Sequence, residues 1–176
     1  MKHRRTKGCL VIVAVLAASL AALYFAGHLI DPRVALETER HIDASPSAVF
    51  RYVGTPEGVV EWWSSMSGPH REGMEVVANG DGVDFLMDGS VAEEWRLRDA
   101  SEPRLAVWTV DFQIFEVTRR LAIEPEGEGS RVVWSEQGWI HNPAARYMTI
   151  VMSDEDTTRN FDMALEALAE VARAPR

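Results

Sequence analysis

One carboxylate in this sequence stands where acid or base chemistry would begin. In the run "VAEEWRLR" (91–98), Val91, Glu93, Trp95 and Leu97 share one parity, so a strand here sets Glu93 among apolar neighbours. Desolvation raises the pKa of such a carboxyl group and makes it a candidate general acid or base. A register slip of one residue would exchange it with Glu94 and Arg96. His141, ahead of Asn142-Pro143, could face an opening, although an ordinary surface histidine is the simpler account. Asp111 and Glu136 are expected on polar strand faces turned to water.

Other chemistries lack their residues. There is no nucleotide-binding glycine motif, no nucleophile elbow and no histidine-rich metal pattern. The segment "NGDGVDFLMDG" has acids and glycines but not the alternating ligands of a calcium loop. Cys9 is the sole cysteine, which excludes an internal disulfide and a thiolate zinc cluster. No cofactor or metal is expected, and a catalytic reading rests on Glu93 alone.

The elements that would position these residues follow from local signals. "VALETERHI" alternates as a first strand, and Ser45-Pro46 then opens a helix that Gly54 closes. Thr55-Pro56-Glu57 repeats the start signal, with Val59, Val60, Trp62, Trp63 and Met66 on the apolar side of a second short helix. From about Glu75 to Ile140, short β-prone runs are divided by Asn-Gly-Asp-Gly, Asp-Gly-Ser, Ser-Glu-Pro and Gly-Glu-Gly, as in an antiparallel meander. Within it, Trp108, Val110, Phe112 and Ile114 are expected to face inward. Ser153-Asp154-Glu155-Asp156 forms a capping pattern for a last helix, whose apolar stripe is Phe161, Leu165, Leu168 and Ala172. "HNPAARYMTIVM" ahead of it is expected as a short helix or a cover over an opening.

Charge and hydropathy divide the chain. Both lysines, Lys2 and Lys7, lie in the first seven residues, and from Asp31 onward 14 arginines meet 27 acids, a formal charge of −13. An acidic body without a basic stripe argues against nucleic acid as a partner. Gly8 to Ile30 is a run of 23 residues without a formal charge, long enough as a helix to cross about 30 Å of hydrocarbon. Residues 1–7 then form a basic cytoplasmic tail and 8–30 a transmembrane helix or uncleaved signal anchor. A signal peptide cleaved near Ser19-Leu20-Ala21 is the alternative. The expected location is a bacterial cell membrane, crossed once, with residues 34–173 on the extracytoplasmic side as one domain.

The order strand, two short helices, six strands and a long helix, together with "IDASPSAVFRYV", "EWW", "EWRLRDASEPRLAVWTV" and "LAIEPEGEGSRVVWSEQG", resembles the superfamily of START lipid-transfer domains, birch-pollen-allergen-like proteins and polyketide cyclase/dehydrase-like proteins (SRPBCC). The resemblance covers about residues 34–173. It implies an α+β helix-grip fold, in which a curved antiparallel sheet of about seven strands wraps a C-terminal α-helix. It also implies a cavity between sheet and helix for a hydrophobic small molecule, a lipid or a polyketide-like compound. Candidate wall residues are Trp62, Met66, Phe85, Met87 and Trp95 from the first half of the domain. Trp108, Phe112, Trp134, Met148 and Met152 complete the set from the second half, flat rings and adaptable thioethers suiting such a wall. Each of them would serve equally as ordinary core. Two other functions remain open at this point: a cyclase or dehydratase using Glu93, and a module that binds another protein.

Overall fold

The computed structural model of the chain describes residues 2–66, 73–147 and 154–174, and side chains from residue 12 onward, those of 154–156 excepted. Helix α1 (Lys2–Gly27) comes first, and i to i−3 bonds from His28, Leu29 and Ile30 unwind its end into a turn. Among the described residues, no helix is long and apolar enough to cross a membrane. After Asp31-Pro32, strand β1 (Arg33–Ile42) leads into two capped helices. The Ser45 hydroxyl accepts from the Ala48 amide at 3.3 Å and Pro46 supplies the first residue of α2 (Pro46–Val53). Thr55 repeats the device with the Gly58 amide at 3.1 Å for α3 (Pro56–Ser65).

Six strands follow: β2 (Met74–Asn79), β3 (Gly82–Met87), β4 (Ser90–Ser101), β5 (Leu105–Asp111), β6 (Glu116–Glu126) and β7 (Gly129–Trp139). Asp88 and Gly89 both have positive φ, 52° and 76°, the backbone twist that a two-residue hairpin between β3 and β4 requires. All seven strands pair antiparallel in the order β1-β7-β6-β5-β4-β3-β2, so the first and the last strand in sequence become neighbours. Helix α4 (Asp154–Arg173) lies against the inner face, with Phe161, Leu165, Leu168 and Ala172 buried and Asp162, Glu166, Glu170 and Arg173 in solvent. The architecture is α+β and helix-grip-like, as the order of elements implied.

Three indole and phenol groups pin the helices to the rest of the domain. Trp62 Nε1 donates to the Ala164 carbonyl at 2.7 Å, Trp108 Nε1 to the Val53 carbonyl at 2.9 Å, and Tyr52 OH to the Val171 carbonyl at 3.0 Å. A buried aromatic that spends its polar atom on a helix carbonyl fixes position as well as excluding water.

Two parts of the expected inward pattern are corrected. Val91 is exposed because an irregularity in β4 pairs Glu93 with Phe85 but Val91 with Leu86, which shifts parity between the two residues. Ile114 is 49% exposed because β5 ends at Asp111 and the turn that follows, closed by the Phe112 amide on the Phe115 carbonyl at 3.0 Å, turns it outward. The Ser153 capping residue and much of the "HNPAARYMTIVM" cover lie outside the described residues, which give a turn over 143–146.

Candidate functional site

Strand register assembles the only buried charges seen among the described residues. Arg119 of β6 pairs directly with Glu136 of β7 and with Trp108 of β5, so the three lie on one rung of the inner face. Arg119 is 3% exposed and Glu136 4%. The guanidinium Nε and Nη2 both engage Glu136 Oε1. Nη1 lies 3.3 Å from Glu93 Oε1, an ion-pair distance without hydrogen-bond alignment. Glu93 is held in turn by Trp95, whose Nε1 donates to Oε1 at 2.5 Å.

Aromatic rings enclose this trio. The Arg119 guanidinium carbon is 3.9 Å from the centre of the Trp95 ring, 4.9 Å from Trp134 and 6.0 Å from Phe161, so the cation is solvated by π faces where water is excluded. Trp134 stacks on Phe161 of α4 at 4.5 Å, and Trp63 meets Phe85 and Trp95 edge to face at 5.2 and 5.7 Å. Not every polar atom in this cluster is paired. Arg119 Nη1, Trp134 Nε1 and Trp63 Nε1 are buried without a hydrogen-bond partner, as is Asn160 Oδ1 of α4.

The Glu93 side chain is 20% exposed, so it joins the buried pair to the surface. Its pKa is raised above the ordinary 4.5, first by burial and then by the Glu136 charge, against the opposing pull of Arg119 and of the Trp95 N–H. A carboxyl group so placed keeps its proton to higher pH than an exposed glutamate and can give or take one at the edge of the aromatic cluster. Among the described residues, no group of three histidines, cysteines or acids could hold a metal ion.

The residues singled out from sequence fall into three groups. Trp62, Phe85, Trp95, Trp108 and Trp134 come together in the buried aromatic cluster. Met66 and Phe112 are partly buried against its edge, whereas Met87 is exposed at the end of β3. Met148 and Met152 lie outside the described residues. Glu136 corrects the expectation of a water-facing carboxylate: it shares parity with Val132 and Trp134, both buried. Arg119 was not singled out at all, yet Val117, Arg119, Leu121 and Ile123 are the alternate residues of β6 and all four are buried. That parity was the available signal. His141 and Trp139 line a different feature, an open hollow of about 500 Å³ with Thr118 and Gln137, at the start of β6 and the end of β7.

Comparison with known proteins supports this architecture. The family model described as "Polyketide cyclase / dehydrase and lipid transport" matches residues 33–173. Among solved structures, a protein of Chromobacterium violaceum aligns with a TM-score of 0.59 at 16% identity, over 80% of this chain and 99% of that one. A truncated norcoclaurine synthase of Thalictrum flavum aligns with a TM-score of 0.57 at 9% identity, over 82% and 96%. The Aha1 dimer of Colwellia psychrerythraea gives 0.54 at 16%, over 79% and 96%. At these identities the likeness is one of fold. No curated protein matches the chain.

Proposed function

We propose that this chain, which belongs to the polyketide cyclase/dehydrase and lipid transport family, holds a hydrophobic small molecule, lipid or polyketide-like, between its sheet and α4. The observation that carries the reading is the aromatic cluster around Arg119. It gathers seven large rings, Trp62, Trp63, Phe85, Trp95, Trp108, Trp134 and Phe161, yet leaves N–H groups within it unpaired. Interiors rarely leave such groups unmade without water or a ligand to meet them. Binding of a fluorescent fatty-acid probe to the full chain tests this. Saturable binding that is lost on Trp108→Glu is expected, and no binding of fatty-acid or sterol probes would contradict it.

The same reading tethers the domain to a bacterial membrane through α1, with the N-terminus in the cytoplasm. Support comes from the bare apolar surface of the helix, where Ile12, Leu16, Leu20 and Phe25 are all exposed, and from the basic residues Lys2, Arg4, Arg5 and Lys7 in its first two turns. The domain grips the end of this helix. Tyr147 OH donates to the Leu23 carbonyl at 2.6 Å, Arg146 Nη1 reaches the Gly27 carbonyl at 3.5 Å, and a side chain at Gly27 would stand 2.3 Å from the Pro143 carbonyl oxygen. Retention in membranes after alkaline carbonate extraction is the expected outcome; release into the supernatant would remove the tether.

Glu93 favours a second reading, acid or base catalysis on a bound carbonyl compound, because its raised pKa and partial exposure coincide beside a buried cation. Turnover abolished by Glu93→Gln with ligand binding retained would establish it.

A further inference from the structure

We propose that the ligand carries an oxygen acceptor, a carbonyl or carboxyl group, and that this group is received by Arg119 Nη1 and Trp134 Nε1. The inference rests on the ligand-binding reading above and names the polar end of that ligand. Three indole N–H groups of the interior are spent: Trp62 on the Ala164 carbonyl, Trp108 on the Val53 carbonyl and Trp95 on Glu93. The N–H of Trp134 is not, although the residue is fully buried. The guanidinium whose Nη1 is likewise without a hydrogen bond sits 4.9 Å from the Trp134 ring. Trp63 Nε1 adds a third donor to the same ring network.

Donor balance selects the chemistry. Among the described residues, three buried nitrogen donors lack an aligned hydrogen bond, Arg119 Nη1 with only its ion-pair contact to Glu93, against one acceptor, Asn160 Oδ1, so the complement is an acceptor and not a hydroxyl-rich or cationic group. A pure hydrocarbon would leave both indole donors dry and Nη1 with its ion-pair contact alone. Charge narrows it further: Glu136 already neutralises Arg119, so a neutral carbonyl oxygen meets donors without a net field against it. A carboxyl group fits as well when Glu93, 3.3 Å from Nη1, keeps its proton and shares it with the incoming oxygen.

The experiment uses the full chain in lipid nanodiscs with ¹⁵N-labelled tryptophan, whose indole resonances report each Nε1–H separately. Three probes of matched chain length are titrated: 2-tridecanone, dodecanoic acid and dodecane. Trp134→Phe assigns the Trp134 signal, and nuclear Overhauser contacts with the stacked Phe161 ring assign it in the wild type without that variant. The expected result is a downfield shift of the Trp134 indole proton with the ketone, the acid or both, at about tenfold higher affinity than the alkane. Whichever of the two acts separates carbonyl from carboxyl recognition. Equal binding of all three probes with the Trp134 signal unmoved would overturn this inference and leave hydrophobic binding standing. No perturbation of any buried indole by any probe would overturn both.

Discussion

Two arginines on neighbouring strands each face two carboxylates, and only their surroundings differ. Arg119 of β6 has Glu136 and Glu93, at 3% exposure of the arginine, inside a ring of tryptophans. Arg131 of β7 has Glu39 and Glu124, on the outer face, with its side chain 40% exposed. Each outer partner is a charge that water would solvate as well, so the pairs there are nearly neutral in free energy. Inside, the same pairing decides whether two carboxylates can exist as ions at all. The lesson is that charge pairs must be weighed by their setting before they are read as structure or as function.

The largest effect expected is therefore at Arg119. Arg119→Met should destabilise the domain by about 3–5 kcal/mol, because Glu136 is left buried without its cation, and adding Glu136→Leu should recover much of the loss. Chemical denaturation of the single and double variants measures both. If the single variant melts like wild type, the buried pair is not what holds this face together. Of comparable size is Trp134→Ala, at about 3–5 kcal/mol from lost packing on Phe161 and Arg119, read in the same way.

The third prediction concerns pH. Because the folded-state pKa of Glu93 lies above 4.5, the native state binds its proton more tightly than the unfolded chain. The stabilisation from this group is full below 4.5 and is lost as pH rises through the raised value. Glu93→Gln should flatten that decline in a pH series of melting temperatures; an unchanged slope would show that Glu93 titrates normally.

Smallest are the changes on the outer surface. Arg131→Gln should leave the melting temperature within experimental scatter, and a drop approaching that of Arg119→Met would erase the contrast between the two sites. His41, exposed between Glu126 and Asp43, has its pKa raised above 6.5, chiefly by the hydrogen bond with Glu126 at 2.6 Å. Its NMR titration should fall back toward 6.5 in Glu126→Gln.

The fold was legible because its signals are local and repeated. Ser45-Pro46 and Thr55-Pro56 start helices by chemistry that acts within four residues, and the α4 stripe from Phe161 to Ala172 shows its period directly. The aromatic half of the site was legible too, since large rings are buried whatever their partners. Its charged half was legible only in part. Glu93 stood out as an acid in an apolar run, but Arg119 and Glu136 share strands with exposed charges, and only their pairing across β6 and β7 shows that each one makes the burial of the other tolerable. Val91 and Ile114 went astray for a related reason: a bulge and a strand end reset alternation, and neither leaves a mark in composition.

Native mass spectrometry of the full chain, purified from the cells that make it, asks whether the domain carries a ligand. The expected result is a co-purifying molecule of defined mass, oxygen-bearing and largely apolar, that disappears when Trp108 or Phe112 is replaced by a charged residue. A protein that arrives empty, and stays empty when offered lipid extracts, would contradict it.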